Sequence, residues 1–222
     1  MGGGRQCAQG RRHQRGADSG DSGQGLSLSL REARFLRISG GQWRGRRLKT
    51  PAGVATRPTS AKVKEALFNI LGPVVSGARV ADLFAGSGAL GLEALSRGAA
   101  FCLFVEKNRS ALKALEDNLA ALAVGEQAQV LAVDAIRSQR LKEHGPFGLI
   151  LADPPYDKGL VKRVVEAVVR PEIMAPGGWL VVEHSPRERP VEAGQARLSD
   201  HRVYGQTELS FLQYPDMRKA LT

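Results

Sequence analysis

Between residues 79 and 184 the chain alternates short apolar runs with amphipathic stretches. "RVADLFAG" (79–86) predicts a strand and "ALGLEALSRG" (89–98) a helix closed by Gly98. "AAFCLFVE" (99–106) predicts a second strand, and "RSALKALEDNLAALAV" (109–124) a helix stopped by Gly125. The alternation continues with "AQVLAVD" (128–134) and "AIRSQRLKEHG" (135–145), then "FGLILADPP" (147–155) and "LVKRVVEAVVR" (160–170). A fifth strand, "GGWLVVEH" (177–184), follows the break "APGG". Continuous apolar strands separated by helices indicate a parallel sheet covered on both faces. The pattern then changes: "HRVYGQTELSFLQY" (201–214) turns at Gly205 between two β-like runs. It predicts an antiparallel pair at the sheet edge, making an α/β fold with a mostly parallel seven-stranded sheet.

Upstream the periods are shorter. "RFLRIS" (34–39) alternates, Gly40-Gly41 supplies a turn, and "QWRGRRL" (42–48) returns, predicting a small β-hairpin. A two-stranded hairpin is marginal alone, so it must pack on the body or on a partner. "TRPTSAKVKEALFNIL" (56–71) predicts a helix capped by Thr59 or Ser60, with Val63, Ala66, Leu67 and Ile70 on its apolar face. Residues 1–33, rich in Gly, Ser, Gln and Arg, are expected to be a disordered leader. The predicted organisation is a leader (1–33), a basic hairpin (34–57), the α/β domain (58–216) and a short tail (217–222).

Charge changes this picture locally. Of the formal net charge of +10, residues 31–64 hold ten basic and one acidic residue, whereas the 158 residues beyond them are nearly neutral. A patch this concentrated marks a polyanion partner, most often nucleic acid. The two cysteines, Cys7 in a polar segment and Cys102 in an apolar run, supply no disulfide or metal framework. With no bilayer-spanning run and no signal-peptide core, the expectation is a cytoplasmic monomer without metal or membrane partner.

The chemistry concentrates at strand ends. Gly86, Gly88 and Gly91 form G-x-G-x-x-G between the first strand and its helix, and Glu106 ends the next strand. This predicts a nucleoside-containing cofactor and by itself does not separate NAD from S-adenosylmethionine. Asp82 tips the balance: an acid there would repel a pyrophosphate but favour an α-ammonium group, directly or through water. Asp134 ends the third strand and Asp153 the fourth, so four strand tips each carry a carboxylate. That set suits a cationic sulfonium cofactor with amine and hydroxyl donors.

"DPPY" (Asp153, Pro154, Pro155, Tyr156) then leaves the sheet, because proline cannot donate to a ladder. This tetrapeptide resembles the motif of class I methyltransferases that act on exocyclic amines, which implies a Rossmann-like fold and S-adenosylmethionine as cofactor. Such nitrogens are poor nucleophiles, their lone pair being delocalised into the ring. Acceptance of the two amine hydrogens by Asp153 Oδ and the Pro154 carbonyl would aim that lone pair. Tyr156 would offer a stacking face for a base splayed from its neighbours.

Taken with "RISGGQWRGRRL", "RPTSAKVKEALFN", "VEKN", "VDA" and "YGQTELSFLQY", the chain resembles the RsmD family across residues 34–214. The resemblance implies methyl transfer to the exocyclic N2 of a guanine in 16S rRNA, within a small-subunit assembly particle. By it, Asp82, Phe84, Ala85, Gly86, Ser87 and Gly88 would cradle the methionine end of the cofactor. Glu106 and Lys107 would lie at the ribose, and Asp134 with Ala135 at the adenine. Arg44, Arg46, Arg47, Arg57, Pro58 and Thr59 would meet RNA, with Lys49 adding charge and Trp43 either stacking or packing. Lys62 and Lys64 stand where the family often has arginine, which implies a weaker grip on phosphate. Alternatives are an adenine-N6 methyltransferase using the same motif, an NAD-dependent oxidoreductase, and a non-catalytic RNA chaperone in ribosome assembly.

Overall fold

In the computed structural model, which describes residue 1 and residues 36–51, 61–190 and 194–216, a two-stranded ribbon precedes a seven-stranded sheet. The ribbon pairs β1 (Leu36–Arg37) with β2 (Arg47–Leu48). Helix α1 (Ala61–Leu71) leads into β3 (Arg79–Leu83), α2 (Ala89–Ser96) and β4 (Phe101–Val105). There follow α3 (Arg109–Leu122), β5 (Ala128–Leu131), α4 (Leu141–His144), β6 (Phe147–Ala152), α5 (Leu160–Val168) and β7 (Met174–His184). The chain ends its sheet with β8 (Arg197–Tyr204) and β9 (Thr207–Gln213).

The sheet order is β5-β4-β3-β6-β7-β9-β8, parallel from β5 to β7, with β9 antiparallel to both its neighbours. The seven strands and the antiparallel C-terminal pair agree with the pattern, with one refinement. The last strand does not form the edge; β9 inserts beside β7 and leaves β8 outside. Burial explains the order, since Leu209, Phe211 and Leu212 of β9 are fully buried while most of β8 is exposed or half-buried.

Alternate residues feed two cores. Val80, Cys102 and Phe104 pack on one face of the sheet, Ala81, Leu83, Leu103 and Val105 on the other. Each fully buried large side chain contributes about 1.5–3 kcal/mol. Successive strands are added to one side of β3 as far as β5 and then to its other side from β6. The β3–β6 boundary is therefore a topological switch point that opens a crevice outside the C-terminal ends of both strands.

Three local expectations shift. The helix predicted over 135–145 shrinks to α4, because Asp134 Oδ1 accepts from Ile136 and Arg137 N–H and folds the start into a turn. The buried face of α1 is Val63, Lys64, Leu67, Phe68 and Leu71, while Ile70 is exposed. Gly40-Gly41 is not a two-residue hairpin turn. The ribbon closes through residues 38–46, with Gly45 N–H on Ile38 O and Ile38 N–H on Arg46 O.

That longer connection exists because it docks on α2. Gln42 N–H donates to Ser96 O, Trp43 N–H to Ser96 Oγ, and Ser96 Oγ–H to Gly40 O. Ser39 donates twice to Glu93, from its N–H at 2.8 Å and its hydroxyl at 2.7 Å. Glu93 also pairs with Lys64 Nζ at 2.9 Å and Arg97 Nε at 2.8 Å, and Lys64 donates to Arg37 O. Lys64 is fully buried, so it is a tie between ribbon and domain and not a phosphate contact. Trp43 packs against the core and takes the stapling role.

Candidate active site

A cavity of about 630 Å³ lies at the switch point, walled by the segments that follow four strands and by the end of a fifth. Phe84 follows β3; Glu106, Lys107 and Asn108 follow β4; Val133 and Ala135 follow β5; Asp153 to Tyr156 follow β6; Glu183 belongs to β7. Pro51 reaches the same cavity from the ribbon. Asn118 fixes that approach: its Oδ1 accepts from Lys49 N–H, and its Nδ2 donates to Lys49 O and to Ser87 O. One buried amide therefore ties the ribbon exit to the glycine loop. It is legible in the sequence only as a polar residue on the apolar stripe of "EDNLAAL".

The glycine loop is shaped by close approach. A Cβ at Gly88 would stand 2.5 Å from Leu115, and one at Gly91 2.4 Å from Phe104, so larger residues would push α2 off the sheet. Phe84 carries a positive φ of 59°, a strained state for an aromatic residue that turns the chain from β3 into the loop. Glu106 braces the loop from the next strand. Its Oε2 accepts from Gly86 N–H at 2.9 Å, and its Oε1 from the N–H groups of Lys107 and Asn108.

Several predicted residues stand behind the wall. Ala85, Gly86, Ser87 and Gly88 adjoin Phe84 in the chain but do not line the cavity. Asp134 is flanked by two lining residues and pairs with Lys107 Nζ at 2.9 Å; that hydrogen bond holds its carboxyl below the ordinary value. Asp82 is 1% exposed, and its Oδ2 accepts from Gly91 N–H at 2.8 Å. Its place is under the loop, where it holds the first turn of α2.

Burial pushes the Asp82 carboxyl up to about 7, against the pull of Gly91 N–H and with repulsion from Glu106 added. The folded-state value exceeds the unfolded one. This group's contribution is therefore present below the ordinary aspartate value and is lost as pH rises through about 7. Asp82→Asn keeps the acceptor and removes the titration. Denaturant unfolding should find the variant equal to wild type near pH 4 and more stable near pH 8, by up to about 4 kcal/mol.

The DPPY loop is held from outside the motif. Asp153 N–H donates to Leu83 O at 3.4 Å across the switch point. Tyr156 donates its hydroxyl hydrogen to Glu183 Oε1 at 2.8 Å, with Thr207 Oγ1 at 3.3 Å; burial pushes the phenol's pKa up. Glu188 accepts from both Asp157 and Gly159 N–H, and Ser185 Oγ–H donates to Asp157 Oδ1 at 2.8 Å. The strand-tip rule that finds Asp153, extended one strand to "GGWLVVEH", finds Glu183 as well.

The matched family model, described as Conserved hypothetical protein 95, spans residues 36–213. Ribosomal RNA small subunit methyltransferase D of Escherichia coli (strain K12) is 42% identical over 148 residues, 67% of this chain and 71% of its own. The chain belongs to the RsmD family. The solved structure of yhhF from Escherichia coli matches it with a TM-score of 0.73 at 37% identity, covering 82% of this chain and 99% of that one. The methyltransferase fold extends further: SMU.776, solved in complex with SAH, gives a TM-score of 0.52 at 15% identity, over 68% of this chain and 48% of its own.

On this RsmD-family chain Arg44, Arg46 and Arg47 are all exposed on the ribbon and its connection. Arg46 donates to Ala121 O in the last turn of α3, and Lys49 pairs with Asp117 at 2.9 Å. Arg57, Pro58 and Thr59 lie outside the described residues, as do residues 2–33 and 217–222. Among the described residues no helix is long and apolar enough to cross a membrane.

Proposed function

We propose that this protein transfers a methyl group from S-adenosylmethionine to the exocyclic N2 of a guanine in 16S rRNA, within a small-subunit assembly particle. One observation carries the reading: the Glu106 wall and the DPPY loop face a single cavity. A nucleoside cofactor fits the first wall, where a carboxylate for ribose hydroxyls stands among the apolar Phe84, Val133 and Ala135. The loop from Phe84 to Gly88 is assigned the methionine end, with Asp82 acting through the shape of that loop. Asp134 and Ala135 are assigned the adenine, and Lys107 orients Asp134.

When bound, S-adenosylmethionine supplies a methyl group on a positively charged sulfur, which needs only an aimed lone pair. Asp153 Oδ and the Pro154 carbonyl supply the aim by accepting the two amine hydrogens of the target base. Pro154 and Pro155 stiffen the acceptors, and the bonds to Glu188 stiffen the loop beyond them, so little reorganisation remains. Tyr156 gives the base a face to rest on. The ribbon, latched to α2, presents Arg44, Arg46 and Arg47 to backbone phosphates, while the family resemblance alone assigns Arg57, Pro58 and Thr59.

The test is incubation of small-subunit particles lacking base methylation with labelled S-adenosylmethionine, followed by nucleoside mass analysis and mapping of the modified nucleotide in the RNA. N2-methylguanosine at one position is expected. N6-methyladenosine would replace this reading with the adenine enzyme, and unlabelled RNA would favour the assembly chaperone.

A further inference from the structure

We propose that Glu183 reads the N1–H of the target base and thereby selects guanine over the other amine-bearing bases. The inference rests on methyl transfer to guanine N2 and assigns the residue that enforces it. Strands β6 and β7 are parallel, with Ala152 opposite Val182 in register. Asp153 and Glu183 are the next residue on each chain segment, so their backbones stand side by side near the ends of neighbouring strands, about 4.8 Å apart. Both line the same cavity.

Their pairing matches one base edge. Guanine places an N–H donor at N1 directly beside its exocyclic amine, so both groups donate. Adenine and cytosine place an unprotonated ring nitrogen beside theirs, an acceptor that would face the Glu183 carboxylate. With the amine held by Asp153, the neighbouring ring atom falls to Glu183. Glu183 is 5% exposed, so an acceptor set against it has little water to relieve the repulsion. Tyr156 fixes the carboxylate through the 2.8 Å bond to Oε1, and a carboxylate has capacity for further donors. Recognition and stacking are thus joined in one hydrogen-bonded unit.

The experiment compares particles reconstituted with 16S rRNA bearing guanine or 2,6-diaminopurine at the mapped nucleotide. The analogue keeps the 2-amine but carries a lone pair at N1. Wild type should prefer guanine by roughly 100-fold in kcat/KM, the scale of a lost donor–acceptor match. In Glu183→Gln the amide can either accept or donate, and the preference should fall to about tenfold or less. The ratio is internal to each protein, so partial loss of folded enzyme leaves it unchanged. Tyr156→Phe loses the bond that fixes the carboxylate but keeps Glu183 itself, so it should retain more of the preference than Glu183→Gln even as its rate falls. Equal use of both bases by wild type, or an unchanged ratio in Glu183→Gln, would overturn the assignment while leaving guanine-N2 transfer in place. A Tyr156→Phe collapse as complete as that of Glu183→Gln would show the glutamate acting only through the tyrosine, and would overturn it too. Methylation mapped to any base other than guanine would overturn both readings together.

Discussion

Asp153→Ala is expected to bind S-adenosylhomocysteine as wild type does and to lose methyl transfer by roughly 100- to 1,000-fold, the range for removing one preorganised polar group. The separation follows from geometry. The Glu106 wall that is assigned the cofactor is braced by Gly86, Lys107 and Asn108 N–H groups, none of which depends on Asp153. Asp153 instead sits where β6 leaves the sheet, beside Pro154, and lines the same cavity from a different strand. Calorimetric titration of the product nucleoside and single-turnover methylation of small-subunit particles would read the two effects independently. Turnover near wild type would remove Asp153 from the chemistry.

The second large effect belongs to stability. Glu93 has no exposed side-chain surface, and it holds Lys64, Arg97 and both donors of Ser39. Glu93→Ala leaves the buried Lys64 ammonium without its counter-ion and should cost about 3–5 kcal/mol in denaturant unfolding. The double replacement Lys64→Met with Glu93→Leu should recover only part of that loss: it removes the unpaired buried charge, but both Ser39 donors and Arg97 still lose their acceptor. Burial alone would raise the Glu93 carboxyl, but the Lys64 ammonium, Ser39 N–H and Arg97 outweigh it and leave it below the ordinary value. This contribution is therefore present above the ordinary carboxylate range and is lost as pH falls through the lowered folded value. Its pH dependence is opposite in sign to that of Asp82, so the two variants are separable by pH alone.

The latch also shows where reading the sequence stops. Lys64 looks like one more charge in a basic segment, and nothing in "AKVKEALFN" says that it points inward. Only the packing of α1 beneath the ribbon, opposite Glu93 on α2, makes it a buried cation. Asp82 is the converse: its strand-end position is legible, but whether its carboxylate meets a ligand or a backbone N–H depends on how tightly α2 closes on β4. Glu183 follows the same strand-tip logic as Asp153, but its significance depends on β6 and β7 being neighbours.

By itself, the sequence determined the alternation of strands and helices, the glycine loop, the rigid DPPY corner and the basic N-terminal segment. Each is encoded in local period, backbone restriction or charge, which a single stretch of chain carries alone. The tertiary structure decided the strand order, the insertion of β9 beside β7, the turn of Lys64 into the core and the placing of Asp153 and Glu183 on one cavity. These depend on which distant segments share buried surface and register, a choice made by the whole chain's packing and absent from any one segment.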